Sequence, residues 1–170
     1  NGDLANDLGN LCQRVLSMIC KNCDGIMPAL PAEPGDADQS LLSAADALLD
    51  QVRYLLDKQA FSEALRVIWQ VIADSNRYVD STAPWALKKT DPTRMAEVLA
   101  VLAETIRQIA ILIQPVMPQS ADMILDQLGV DVNKRDFSVI AGKGRLASGH
   151  QINEPLPIFP RYVEKAGENG

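Results

Sequence analysis

The stretch DPTRMAEVLAVLAETIRQIAILI, residues 91–113, decides the fold. Asp91 is a helix-capping residue type, and Pro92 follows it at the first helical position, where proline is accepted. Apolar residues then recur at steps of three and four, which is the spacing of a helix with a buried face. They are Met95, Val98, Leu99, Leu102, Ile106, Ile109, Ala110 and Ile113. We therefore expect a long helix that Pro115 ends or kinks.

The sequence on both sides of this stretch repeats the helical pattern. Further helices are expected over about residues 3–21, 41–56, 61–79 and 118–129. Gly25 is predicted to cap the first of them in a left-handed conformation. No period is sustained after about Val130, so residues 130–170 are expected to pack along the helices as an irregular tail. Residues 1–170 are thus predicted to form a single all-α domain, a bundle of four to five helices over about residues 3–129 followed by that tail.

Composition limits the classes of function. Of the 170 residues 47% are hydrophobic and 22% charged, which is ordinary for a soluble globular protein. No apolar run approaches the roughly 20 residues of a membrane-spanning helix. Three cysteines, an odd number, argue against a secreted disulfide scaffold, so we expect a cytoplasmic protein with no membrane partner. The net charge of −6 disfavours a surface that binds phosphates non-specifically. The acidic residues are concentrated in residues 33–58, however, and basic residues are interspersed elsewhere.

Residues suited to catalysis or metal binding are few. Cys20 and Cys23 form a lone C-x-x-C pair, and a tetrahedral zinc site would need Cys12 and the single histidine, His150, as well. Nothing supplies a second pair at a usual spacing, so we predict no metal site and expect inert, partly buried thiols. His150 lies in a polar stretch and is predicted to be a solvated loop residue. No set of catalytic side chains is visible, and what remains is recognition.

The stretch NRYVDSTAPW, residues 76–85, holds the first candidates for recognition. Pro84 fixes its own φ and biases Ala83 towards an extended conformation, so the preceding helix is expected to end before Trp85. A tryptophan on such a stiff turn offers a flat ring on which an unpaired nucleic-acid base can stack. The alternative, which spacing alone favours, is that Trp85 fastens the turn to the core of the bundle.

Asn10 and Arg14 are the second pair of candidates. They are four residues apart on the first predicted helix and therefore share one of its faces. Arginine offers a planar fork of donors, and asparagine offers both a donor and an acceptor, so together they can read the edge of an unpaired base. The alternative is a solvent-facing pair or a hydrogen bond within the bundle.

Four motifs resemble those of one family, the C-terminal α-helical anticodon-binding domain of methionyl-tRNA synthetases of the bacterial type. The motifs are residues 6–14, 76–85, 114–118 with Leu128-Gly129, and 154–161. They follow one another in the family's order and span nearly all of residues 4–162. The first two are specific, although related class I synthetases share the helical fold and weaker versions of them.

The resemblance implies roles for particular residues. Asn10 and Arg14 match residues that contact anticodon bases, chiefly the wobble cytosine, and Trp85 matches a residue that stacks on a base with help from Pro84. The implied partners are methionine tRNA and a catalytic domain in the same parent protein, which ligates methionine to tRNA with ATP and Mg²⁺. The catalytic signatures of that domain do not occur in these 170 residues, so this chain is expected to bind tRNA without aminoacylating it and to hold no cofactor. The alternatives are the corresponding domain of another class I synthetase and a helical protein-interaction module.

Overall fold

The structure, a computed structural model, describes residues 4–159, apart from the side chains of residues 4–6 and 143. Within that range the chain is built from α-helices and short 3-10 turns, and the predicted all-α fold class is confirmed. The helices are α1 (Asn10–Asn22), α2 (Asp36–Asp46), α3 (Leu48–Asp57), α4 (Phe61–Thr82), α5 (Pro84–Thr90), α6 (Pro92–Ile113) and α7 (Pro118–Gln127). A π-helical turn, Leu4–Gly9, leads into α1, and the 3-10 turns are Val132–Lys134, Phe137–Val139 and Gly142–Gly144.

The helix predicted from residues 91–113 is the centre of the fold. The carboxylate of Asp91 accepts a hydrogen bond from the backbone N–H of Arg94 at 2.9 Å, which caps α6 where the sequence predicts its start. Every residue from Val98 to Ile113 is buried, the polar ones included. A helix buried on all sides has to be covered around its whole circumference. Accordingly α1, α2, α4, α5 and α7 all pack against α6.

Two helices occupy the region where the sequence predicts one over residues 41–56. The helix starts earlier, at Asp36, and Ala47 interrupts it before α3 begins at Leu48. At this interruption the carboxylate of Asp46 accepts hydrogen bonds from Gln108 at 2.9 Å and from Arg145 at 2.5 Å. The apolar spacing runs through the junction without a change, so periodicity alone does not reveal the break.

The turn after α1 joins the tail to the bundle. Gly25 has a φ of +71° and donates its N–H to the Ile19 carbonyl at 3.2 Å, so its predicted role as a left-handed cap is confirmed. Its own carbonyl accepts hydrogen bonds from Ile152 N–H at 2.8 Å and from the Gln151 side chain at 3.1 Å. An added Cβ at this position would lie 2.3 Å from Gln151 Nε2, so the end of the Gln151 side chain would have to move and its hydrogen bond to the Gly25 carbonyl would be disturbed.

The described part of the tail, residues 130–159, is irregular as predicted, and it completes the core. Val130, Ile140, Ile152 and Ile158 are all buried. Inside α6 the guanidinium of Arg107 donates to the backbone carbonyls of residues 139 and 140 at 3.2 and 2.6 Å. The tail therefore covers the polar side of the central helix. Residues 160–170, the rest of the predicted tail, lie outside the described range.

His150 is not the solvated loop residue that the sequence predicts. Its ring nitrogens lie 2.9 Å from the Ala147 carbonyl and 2.8 Å from the Leu128 carbonyl, and the side chain is partly buried. The histidine therefore links the tail to the end of α7. The surrounding sequence is polar because the neighbouring side chains are exposed, whereas the ring turns inward. Among the described helices none has the length and apolarity to span a membrane.

Candidate functional site

A sharp corner between α4 and α5 presents the candidate tryptophan. α4 ends at Thr82, before Trp85 as predicted, but Ala83 is left-handed, with φ 43° and ψ 62°, and the expected extended conformation is wrong. In this conformation Ala83 caps the C-terminus of α4, because its N–H donates to the Val79 carbonyl at 3.0 Å. The chain then enters a new helix, with Pro84 in its first turn. A non-glycine residue in this region is strained and persists only where its surroundings enforce it.

Trp85 is a surface residue. Its exposed fraction is 51%, whereas Pro84 beside it is buried and Trp69, the other tryptophan, is only partly exposed against the core. The alternative in which Trp85 fastens the turn to the core is therefore wrong, and Pro84 does that packing. The exposed half of the Trp85 side chain is available for stacking.

Arg14 meets Trp85 across helices. Its guanidinium carbon lies 5.6 Å from the centroid of the Trp85 ring, within the range of a cation–π contact. The same guanidinium donates to the Asp80 carboxylate at 2.8 Å. The structure thus brings together side chains from α1, α4 and α5. The hydrogen bond from Arg14 to Asp80 is the bond within the bundle that the sequence left open as an alternative. It uses one of the five guanidinium donors, so Arg14 keeps the capacity to bind a ligand.

Asn10 is exposed at the first residue of α1, one helical turn before Arg14. Among the atoms that the structure describes, its side chain has no hydrogen-bond partner, and its exposure leaves the amide accessible to a ligand. Asn10 and Trp85 lie on different helices, α1 and α5. The two are connected through Arg14, which shares a helix with Asn10 and touches the ring.

The π-helical turn before Asn10 is held against α4 by a residue of the second motif. Asn76 donates from its side-chain nitrogen to the Asp7 carbonyl at 3.4 Å and to the Ile72 carbonyl at 3.1 Å. π-Helical turns leave backbone carbonyls without the usual partner and are often found at functional sites. The role of Asn76 was not predicted, although its place at the head of the motif in residues 76–85 was a signal.

A buried carboxylate under the corner was also missed by sequence reasoning. Asp38 is fully buried and accepts hydrogen bonds from the Tyr78 hydroxyl at 2.6 Å and from Arg94 at 2.6 and 2.8 Å. Burial alone would raise the pKa of Asp38, but the hydrogen bonds from Arg94, Tyr78 and the Gly35 N–H outweigh it and lower that pKa below 3.8. Burial raises the pKa of Tyr78, and the hydrogen bond from the Tyr78 hydroxyl to the Asp38 carboxylate raises that pKa further.

Charged residues of both signs lie near Trp85 in the sequence, and the exposed Asp91 ends α5. Lys88 and Lys89 are exposed in the last turn of α5, directly after the tryptophan. The nearest acid of the motif, Asp80, is neutralised by Arg14, and Asp38 is neutralised below the surface by Arg94. Two of the acids near Trp85 are thus paired, and two exposed lysines lie on the same helix as the tryptophan.

The residues considered for catalysis or metal binding are not assembled into a reactive site. Among the described residues no three His, Cys, Asp or Glu side chains gather around a possible metal position. Burial raises the pKa of Cys12 to about 12, and burial raises those of Cys20 and Cys23 as well, the latter two with help from nearby Glu154 and Asp24. A thiol with a raised pKa is a poor nucleophile and a poor metal ligand at neutral pH.

Comparison with known proteins gives one consistent result. Residues 28–169 match the family described as the anticodon binding domain of methionyl tRNA ligase. The chain is 50% identical over 163 residues to the methionine–tRNA ligase of Rhizobium meliloti (96% of this chain, 31% of the relative). It is 49% identical over 169 residues to that of Brucella suis (99% of this chain, 32% of the relative). The free methionyl-tRNA synthetase of Mycobacterium tuberculosis superposes with a TM-score of 0.90 at 46% identity, over 96% of this chain and 33% of that one. The chain thus spans about a third of the length of the proteins it matches.

Proposed function

We propose that this chain, which belongs to the family of anticodon-binding domains of methionyl-tRNA ligases, reads the anticodon loop of methionine tRNA with Asn10, Arg14 and Trp85. The observation that carries the proposal is the contact between the Arg14 guanidinium and the half-exposed ring of Trp85. It puts a stacking surface and a set of free donors at one point. Recognition of unpaired bases needs both.

Each residue has a distinct role in this proposal. A base stacks on the exposed part of the Trp85 ring, whose backbone is fixed by the buried Pro84. Once stacked, the base has its edge next to the donors of Arg14 that Asp80 does not use. Asn10, with an open donor and acceptor one turn away, reads a second position on a base edge. Stacking supplies affinity for any base, and the edge contacts supply selectivity for the wobble cytosine.

The rest of the parent protein is part of the same proposal. The relatives are about three times as long as this chain and are methionine–tRNA ligases. We infer that the parent attaches methionine to tRNA in the cytoplasm, with ATP and Mg²⁺ bound by a catalytic domain outside these residues. The described residues of this chain contribute tRNA selection to that reaction.

The proposal is tested by Trp85→Ala in the full-length parent protein. Base stacking is worth ~1–3 kcal/mol, so kcat/KM for tRNA should fall by about 5- to 150-fold. Methionine activation, followed as ATP–pyrophosphate exchange without tRNA, should be unchanged. Trp69→Phe is the matched control, since Trp69 packs against the core away from the site and its replacement should change neither activity. Equal tRNA kinetics for Trp85→Ala and the parent would refute the proposal.

A titration separates this function from a protein-interaction module. The 170-residue chain is titrated with an anticodon stem-loop carrying C-A-U and with a second one in which only the wobble cytosine is changed. Recognition through Arg14 and Asn10 predicts weaker binding of the changed stem-loop. Binding that ignores the change, or no difference between the chain and its Trp85→Ala variant, would favour the interaction module.

A further inference from the structure

We infer that Asp38 is a positioning residue for Trp85, an assignment that rests on the proposed function. Asp38 lies in the first turn of α2 and does not touch the recognition surface. Its side chain is fully buried, and both of its oxygens accept hydrogen bonds. One oxygen binds the Tyr78 hydroxyl at 2.6 Å and Arg94 at 2.6 Å; the other binds Arg94 at 2.8 Å and the Gly35 N–H at 3.1 Å.

The two partners of Asp38 stand on either side of the corner that carries Trp85. Tyr78 lies near the end of α4, before the corner, and Arg94 lies in the first turn of α6, after it. One carboxylate therefore links the end of α4, which enters the corner, to the start of α6, which follows α5. No other buried acid among the described residues links α4 to α6 in this way.

The corner is held from outside, by the packing of α5 against α6 and by the restraint on α4 and α6 on either side of it. α5 has seven residues, too few for an independently stable helix, and only Pro84 of them is buried. Ala83 is held in a left-handed conformation that alanine rarely adopts. A strained residue relaxes when the elements on both sides are free to move. If α4 and α6 separate, the Trp85 ring loses its fixed direction relative to Arg14.

A ring with a fixed direction binds a base better than a mobile one, because the mobile ring has to be ordered during binding. Loss of the Asp38 hydrogen bonds should therefore weaken RNA binding without the removal of any group that touches RNA. Because only part of the free energy of base stacking is lost, the Kd for RNA should rise roughly five- to tenfold.

The experiment uses a Trp69→Phe background, in which Trp85 is the single tryptophan. Asp38→Asn keeps the size of the side chain and removes its charge. Without RNA, the fluorescence anisotropy of Trp85 should fall and its quenching by acrylamide should rise, well below the melting temperature. With the C-A-U stem-loop, Kd should rise as above, and discrimination against the changed wobble base should shrink.

Asp46→Asn is the matched control. Asp46 is also on α2 and also accepts hydrogen bonds from two side chains, but these are Gln108 and Arg145, which lead to the centre of α6 and the tail. Its substitution should lower the melting temperature and leave the Trp85 signal and Kd as they are. If both variants change the Trp85 signal equally, or if Asp38→Asn changes only the melting temperature, the assignment is wrong.

A second variant covers the case in which Asp38→Asn does not fold. Tyr78→Phe removes a single hydroxyl and leaves the Arg94 pair in place, so a smaller change in the same direction is expected. An unchanged Trp85 signal in a folded Tyr78→Phe protein would overturn the assignment. The RNA-free measurements decide the role of Asp38 even if Trp85→Ala shows that the chain does not read anticodons, so the two failures are distinguishable.

Discussion

Replacing Arg14 with glutamine separates its part in recognition from its part in folding. In the folded chain Arg14 has two contacts that glutamine would lose, the ion pair with Asp80 and the cation–π contact with Trp85. The arginine side chain is 39% exposed and the aspartate 66%, so water and salt screen the pair and it is worth ~0.2–1 kcal/mol. An exposed cation–π contact adds about 0.5–1 kcal/mol. The free energy of unfolding should therefore fall by no more than about 2 kcal/mol.

The effect of the same substitution on RNA binding should be larger. A bidentate contact to a base edge is worth ~1–3 kcal/mol of discrimination, which corresponds to about 5- to 150-fold in Kd. We expect Arg14→Gln to weaken binding of the C-A-U stem-loop by that factor and to reduce the preference for the wobble cytosine. Fluorescence titration at fixed ionic strength gives Kd, and urea denaturation gives the free energy of unfolding.

Arg66→Gln controls for the loss of positive charge. Arg66 is an exposed arginine of α4, paired with Glu63, and its substitution changes the net charge by the same amount. It should leave Kd nearly unchanged. Equal losses of affinity in the two variants would show that Arg14 acts only through charge. A drop of several kcal/mol in stability with unchanged Kd would show that Arg14 is a structural residue, and the proposed role would be refuted.

Three further outcomes follow from the structure. Glu104→Gln leaves the arginine partner of Glu104 charged and buried, so the free energy of unfolding measured in urea should fall by about 3–5 kcal/mol. Glu97 is on the same helix, but its arginine partner is partly exposed and lies at 3.3 Å. Glu97→Gln should therefore lower the free energy of unfolding by no more than about 1 kcal/mol. Because the pKa of Asp38 is lowered in the folded chain, the unfolded chain takes up a proton below about pH 4 that the folded chain resists. The stability of the chain should therefore fall as the pH drops below about 4. Circular dichroism should show a shallower fall for Asp38→Asn. Gly144→Ala should lower the melting temperature, because its Cβ would lie 1.6 Å from the Val139 carbonyl and the tail would have to move; an unchanged melting temperature would contradict that contact.

The long helices could be predicted from sequence because their burial follows a simple spacing. α6 shows this best, since Asp91 marks its start and the apolar steps continue to Ile113. The conformation of Ala83 could not be predicted in the same way. The rule for residues before proline describes a local preference, and here packing on both sides of the corner overrides it. The break at Ala47 also escaped, because the apolar spacing runs through it and the contact beside it, from Arg145 to Asp46, comes from the distant tail.

The residues proposed for recognition could be named from the sequence, but not their arrangement. Asn10, Arg14 and Trp85 were identified from motifs, whereas the contact between Arg14 and Trp85 joins helices far apart in the chain. Asp38 could not be identified at all. It lies in an acidic stretch whose other carboxylates are mostly exposed, and its partner Arg94 is distant in sequence, so only the folded chain shows that this acid is buried.

The acidic net charge is compatible with the proposed RNA ligand, because the proposed contacts read bases more than they neutralise phosphates. Stacking on Trp85 and edge contacts from Arg14 and Asn10 need no large positive field. Asp80 and Asp38 are paired with arginines, so these two carboxylates do not repel the RNA in full. A surface of this kind contributes selectivity and only moderate affinity, since the release of counterions from phosphates supplies most of the strength in nucleic-acid binding. The remaining two-thirds of the parent protein would then supply that strength, and the anticodon contacts would decide which tRNA benefits from it.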